Sequence, residues 1–216
     1  MIFRASHIPA LRVLAVAAAL VLGSAAEAQI AFQVQLNTSS LVGNPAGPYS
    51  LDFQLNDGSG WGDGNNFASI SNIRFGGGTA WGTGTTTGGA SGDLASTVTL
   101  HDTSSLLNEF YQSFTPGSWL SFTVSLTTHT DAGPTPDKFS FAILDGNLFN
   151  IATKSLGTDA FIEVNIDGAK PTVLAYGSAD GLIAAPSVTP VPEASTYGIC
   201  GVALLGLVAV KRRKKV

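Results

Sequence analysis

The chain has 216 residues, a formal net charge of −4, and only 12% charged residues against 44% apolar ones. The length supports one domain with a proper core, and the single cysteine, Cys200, excludes a disulfide framework. Basic residues crowd the two ends. Between positions 29 and 190 only Arg74, Lys138, Lys154 and Lys170 stand against thirteen acidic residues, a net charge of −9, which excludes nucleic acid and anionic membrane surfaces as partners of that stretch.

The first 28 residues read as a secretory signal peptide. Arg4 and Arg12 make a basic opening, Val13 to Gly23 is an apolar run of 11 residues, and Ala26-Glu27-Ala28 puts small residues at the two positions that signal peptidase requires, with cleavage after Ala28. Eleven apolar residues are too few to span a bilayer.

From Gln29 onward the pattern has a period of two. Ile30, Phe32, Val34 and Leu36 share one face with Gln33 and Gln35 on the other; Tyr49, Leu51, Phe53 and Leu55 alternate with Ser50, Asp52 and Gln54; Leu120, Phe122, Val124 and Leu126 alternate with Ser121, Thr123, Ser125 and Thr127. Each predicts a strand with one buried and one wet face. Further strands are predicted over 67–75, 94–100, 107–114, 139–144, 161–166 and 172–176. Turn chemistry separates them: 43–48, Asp57-Gly58, Pro116-Gly117, Asp145-Gly146-Asn147 and Asp167-Gly168. Only 106–114 offers a competing short helix. Two glycine-rich stretches, 57–66 and 76–92, read as long surface loops that carry Trp61 and Trp81. About nine strands with frequent turns predict an all-β domain over 29–183, an antiparallel β-sandwich or jelly roll, with a closed barrel as the alternative. Positions 184–190, with Pro186 and Pro190, read as a linker.

The tail, 191–216, has three parts. Val191, Pro192, Glu193 and Ala194 form a short polar motif; Tyr197 to Val210 is uncharged and apolar; Lys211, Arg212, Arg213, Lys214 and Lys215 follow. The apolar run measures about 21 Å as a helix, so it spans a bilayer core of roughly 30 Å only when counted back to Ala194. The basic cluster then stays on the cytoplasmic side. A simple C-terminal membrane anchor satisfies these features.

This tail behind a signal peptide resembles the PEP-CTERM sorting signal of Gram-negative bacteria that make extracellular polysaccharide. The resemblance implies a membrane processing enzyme of the exosortase type as partner, with Pro192 and Glu193 as recognition residues and Lys211 to Lys215 as the stop-transfer cluster. Ala194 stands where the motif usually has a second proline. It also implies export across the inner membrane, anchoring by the tail helix, and transfer to the cell surface or medium. The runs A-F-Q-V-Q-L-N-T-S-S-L, P-Y-S-L-D-F-Q-L-N-D-G-S-G, G-D-G-N-N, I-S-N-I-R-F-G-G-G, D-A-G-x-x-P-D-x-F-S-F-A-I-L-D and V-N-I-D are similar to one recurring type of PEP-CTERM protein over most of 30–175. That similarity brings no activity with it.

Three chemistries compete inside the exported part. Asp57, Asp63, Asn65 and Asn66 offer hard oxygen ligands in a flexible loop, and Asp131, Asp137 and Asp145 form a second acidic set. Calcium is the one candidate ion, although the EF-hand pattern fails at Trp61; ordinary Asx turns are the competing reading. Trp61, Trp81, Asn65 and Asn66 could bind a glycan by stacking and hydrogen bonding, with burial of both tryptophans as the competing reading. Catalysis has the least support. His101 and Asp102 are adjacent and point to opposite faces of a strand, no nucleophile elbow or zinc helix is present, and Glu109 and Glu163 are the only glutamates for a glycosidase pair. The expectation is therefore a non-enzymatic surface or matrix protein without a cofactor, structural or adhesive in an exopolysaccharide or biofilm. A carbohydrate-binding module, calcium-dependent or not, is the alternative.

Overall fold

The computed structural model describes residues 29–103 and 105–192. The expected signal peptide with Ala26 and Ala28, and the tail from Glu193 and Ala194 through Lys211, Arg212, Arg213, Lys214 and Lys215, lie outside the described residues. Among the described residues no helix is long and apolar enough to cross a membrane.

The described chain is all-β, with a single 3-10 turn at Ser39–Leu41. Its strands are β1 (Gln29–Asn37), β2 (Tyr49–Asn56), β3 (Phe67–Arg74), β4 (Thr79–Ala80), β5 (Thr85–Thr87), β6 (Gly89–Gly92), β7 (Val98–His101), β8 (Leu107–Thr115), β9 (Trp119–Thr127), β10 (Asp137–Leu144), β11 (Ile162–Ile166), β12 (Val173–Ala175) and β13 (Ser187–Pro190). One sheet has the order β13-β1-β9-β3-β7-β6 and the other β12-β11-β10-β2-β8-β4, with β5 also on β8. The pairings are antiparallel.

The alternation read from the sequence builds one shared core between the two sheets. Phe32, Val34 and Leu36 of β1, Leu120, Phe122, Val124 and Leu126 of β9, and Leu51, Phe53 and Leu55 of β2 are all buried in it. Phe122 packs edge-on against both Phe53 and Phe141 of the opposite sheet, at centroid distances of 5.3 and 4.8 Å. Such edge-to-face contacts add to the burial of each ring.

Residues 107–115 form the expected strand and not the competing short helix, because Phe110 and Phe114 alternate with Glu109, Tyr111 and Ser113. Four expectations are corrected. The glycine-rich stretch 76–92 is not one long loop: it carries three short strands. Its backbone is gripped by polar side chains of β8 that face inward. Gln112 donates to the Gly82 carbonyl and Asn108 accepts from the Gly89 N–H, both at 2.8 Å. The strand expected from Leu94 begins only at Val98, because Asp93 turns the chain through bonds to Ala95 and Ser96. Positions 184–190 are not a free linker. Ser187–Pro190 adds an edge strand to β1, in register from Phe32↔Pro190 to Gln35↔Ser187, and proline is tolerated at such an edge. The outer face of β2 is not wet throughout, since Ser50 and Asp52 are buried; these short side chains sit on a central strand beside longer ones such as Tyr111, the register partner of Asp52.

Strand direction places several connections at the same end of the molecule. Asn56 pairs with both Lys138 and Leu107, Phe67 with His101, and Gln29 with Thr127. The 57–66 loop, Asp102 after β7, Leu106 before β8, the 128–136 loop and both ends of the described chain therefore share one pole.

Candidate functional site

At that pole the loop after β2 folds back on the start of β10. Lys138 stands opposite Asn56 in the β2–β10 register, so Asp57 emerges beside Asp137. Carboxylate oxygens of Asp57, Asp131 and Asp137 lie within 4.8 Å of one another. The two acidic sets expected separately thus converge, except for Asp145, which instead accepts from the Asn147 and Phe149 N–H groups in the turn after β10.

Backbone amides of the loop are aimed at these carboxylates. The Gly58 N–H donates to Asp137 Oδ1 at 2.6 Å, the Gly60 N–H to Asp131 Oδ2 at 3.2 Å, and the Gly62 N–H to Asp57 Oδ2. Glycine is required at two of these positions for different reasons. A Cβ on Gly60 would lie 2.1 Å from Asp63 Oδ2 and 3.0 Å from Asp131 Oδ1, and Gly62 has φ +76°, a conformation other residues adopt at a cost. Asn65 Nδ2 donates to Asp63 Oδ2 at 2.9 Å and Asp131 Oδ1 at 2.5 Å.

Asn66 is the hub beneath the loop and only 1% exposed. Its Nδ2 donates to Asp137 Oδ2 (2.7 Å) and the His129 carbonyl (2.8 Å), its Oδ1 accepts from Thr127 Oγ1 and the His129 N–H (both 3.0 Å), and its own N–H donates to Asp102 Oδ2 (2.8 Å). Burial first, and neighbouring carboxylates with it, raise the carboxyls of Asp57, Asp102 and Asp137 against hydrogen bonds from Gly62, Asn66 and Gly58, and the net effect takes Asp102 to about 7. Every charged group that shifts these carboxyls is another aspartate.

The structure separates the residues expected to hold a glycan. Trp61, between Gly60 and Gly62, is 71% exposed, and Trp81 is 46% exposed, so neither is a core residue. They do not form one site. The Trp81 N–H donates to the Ser113 carbonyl, six residues along β8 from the acidic pole, or about 20 Å at strand rise. Asn66 is spent on internal hydrogen bonds and reaches no ligand surface. Asn65 holds the loop through Asp63 and Asp131.

Glu109 and Glu163 occupy one row across a sheet: Glu109 pairs with Gln54, Gln54 with Ser140, and Ser140 with Glu163. Three strand spacings put their backbones roughly 14 Å apart, and each carboxylate is bonded locally, Glu109 Oε1 accepting from Gln54 Nε2 at 3.0 Å and Glu163 Oε1 from Ser155 Oγ at 2.8 Å. His101 is exposed and stacks on Phe67 at 5.5 Å, whereas Asp102 is buried. Val191 donates its N–H to the Ala31 carbonyl at 2.8 Å, and Val191 and Pro192 line a cleft with Gln29, Lys170 and Val173 at the acidic pole.

Sequence reasoning missed the role of Asp102 and the union of the two acidic sets. The signal that could have joined them is the antiparallel pairing of β2 with β10, which no local pattern reveals. No family model, curated protein or solved structure matches the chain.

Proposed function

We propose that the chain is an exported surface or extracellular-matrix protein, non-enzymatic, whose β-sandwich, jelly-roll-like domain adheres to extracellular polysaccharide. Its routing rests on the amino-terminal signal and the tail, with Pro192 and Glu193 read by an exosortase-type enzyme and the domain then held at or released from the cell surface. The observation that carries the adhesive reading is Trp61. Its indole stands free on a loop whose backbone amides are fixed to Asp57, Asp131 and Asp137. A rigid exposed aromatic flanked by polar groups is the surface on which a sugar ring stacks. A purely architectural protein has no need to expose it.

Calorimetric titration of the full chain with exopolysaccharide from the producing bacterium tests this. Saturable heat is expected, weakened about tenfold by Trp61→Ala, since a stacked aromatic contributes on the order of 1 kcal/mol beyond its area. Trp81→Ala, at the other pole, should leave the heat intact. Absence of saturable heat from the unmodified chain would leave a structural role without a glycan.

A further inference from the structure

We infer that the pole formed by Asp57, Asp131 and Asp137 is a calcium site, and that the bound ion holds the Trp61 loop in place. This inference does not depend on the glycan reading. Acidic clusters are common without ions, so convergence alone carries little. The second observation is what is left unmade. Asp57 is 3% exposed; one of its oxygens accepts from the Gly62 N–H, and the other, Oδ1, is buried without any hydrogen-bond partner. Asp102, fully buried next to it, likewise has Oδ1 without a partner. A buried carboxylate oxygen with no donor is costly, and here it occurs amid further carboxylates. A cation within the triad supplies the missing partner.

The ligand set specifies the class. It contains only oxygen: three carboxylates whose atoms already lie within 4.8 Å, with Asp63 adjoining through Asn65 and Asp131. Neither thiolate nor imidazole belongs to it, which disfavours zinc and copper. The ligands come from an irregular loop, a second loop and a strand start, an arrangement that suits the variable coordination of calcium better than the strict octahedron of magnesium. Ion binding would draw together the segments around 57–63 and 131–137, and Trp61 lies between two glycines whose amides already touch the triad.

The test uses terbium as a calcium probe, because Trp61 is placed to sensitise its luminescence. With the full chain in mild detergent, terbium emission excited through tryptophan should appear, be displaced by calcium, and be lost in Trp61→Phe while calcium still raises the melting temperature. Asp131→Asn, a partly exposed ligand, should weaken calcium at least about tenfold, whereas Asp145→Asn should bind like the unmodified chain. The inference is overturned if millimolar calcium does not move the melting temperature of the unmodified chain relative to chelator. It is equally overturned if magnesium acts as well as calcium, or if Asp131→Asn and Asp145→Asn respond alike. Should Asp131→Asn fail to fold, the terbium and melting measurements on the unmodified chain still decide.

Discussion

At the scale of single residues the clearest departure from a comfortable fold is Asp52, away from the acidic pole on the outer face of β2. It is 1% exposed, its Oδ1 has no hydrogen-bond partner, and Oδ2 accepts only from Gln54 at 2.8 Å. Burial first, and Glu109 diagonally across on β8 second, push its carboxyl up to about 7 against the lowering effect of Gln54. Around it stand Tyr111 across on β8 and Ala142 across on β10; Lys138, on the same face, stands opposite Asn56, four residues further along. Because the folded value lies above the ordinary 3.8, the folded chain holds the proton more tightly than the unfolded chain. Stability is therefore unaffected by this group below about pH 4, falls as pH rises from 4 to 7, and above 7 is lower by on the order of 4 kcal/mol. Asp52→Asn should accordingly stabilise the protein at pH 7.5, change little at pH 4, and flatten the slope between. Urea unfolding in chelator at pH 4, 5.5 and 7.5 measures this. An unchanged slope would assign the pH dependence to Asp102 instead, whose carboxyl is raised to a similar value.

Elements show why part of the architecture was legible in the sequence and part was not. β1, β2 and β9 were readable because their inward residues are large and strictly alternate, so the local pattern alone states the buried face. β4, β5 and β6 were not, because a short edge strand made of Thr, Gly, Ala and Ser pairs through its backbone, and its partners, Gln112 and Asn108, lie elsewhere in the sequence. β13 was masked by Pro186 before it and Pro190 at its end, which signal a linker unless the free edge of β1 is known. The same gap hid the acidic site: Asp57 and Asp137 are neighbours only through the pairing of β2 with β10, whereas the loop itself was visible from its glycines. The edge strand has a direct test. Val188 stands opposite Val34 and packs against the core, so Val188→Asp in the full chain should reduce unfolding free energy by about 1–3 kcal/mol, since a charge would be pressed against apolar surface. A linker would tolerate the change, and thermal unfolding separates the two outcomes.

For the whole molecule the question is whether its two poles are independent. Trp61 reports on the acidic pole; Trp81, bonded through its N–H to Ser113, and Trp119, the start of β9 opposite Asn37, report on the other. Between them lies one core in which Phe122 of one sheet contacts Phe53 and Phe141 of the other, and Phe141 continues to Phe161 at 6.3 Å. No layer can keep its share of this cluster when the other departs, so the poles should unfold together as a two-state unit. Emission from a chain carrying only Trp61, with phenylalanine at positions 81 and 119, should lose its signal at the same denaturant concentration as a chain carrying Phe at position 61 alone. Phe122→Ala should move both midpoints down by the same amount, equivalent to about 3–5 kcal/mol, because the cavity it leaves belongs to both sheets. Calcium should raise both midpoints equally as well, since an ion bound at one pole of a cooperative unit stabilises all of it. A shift confined to Trp61 would instead mean that the loop opens on its own, and that the acidic end can be switched without disturbing the sheets behind it.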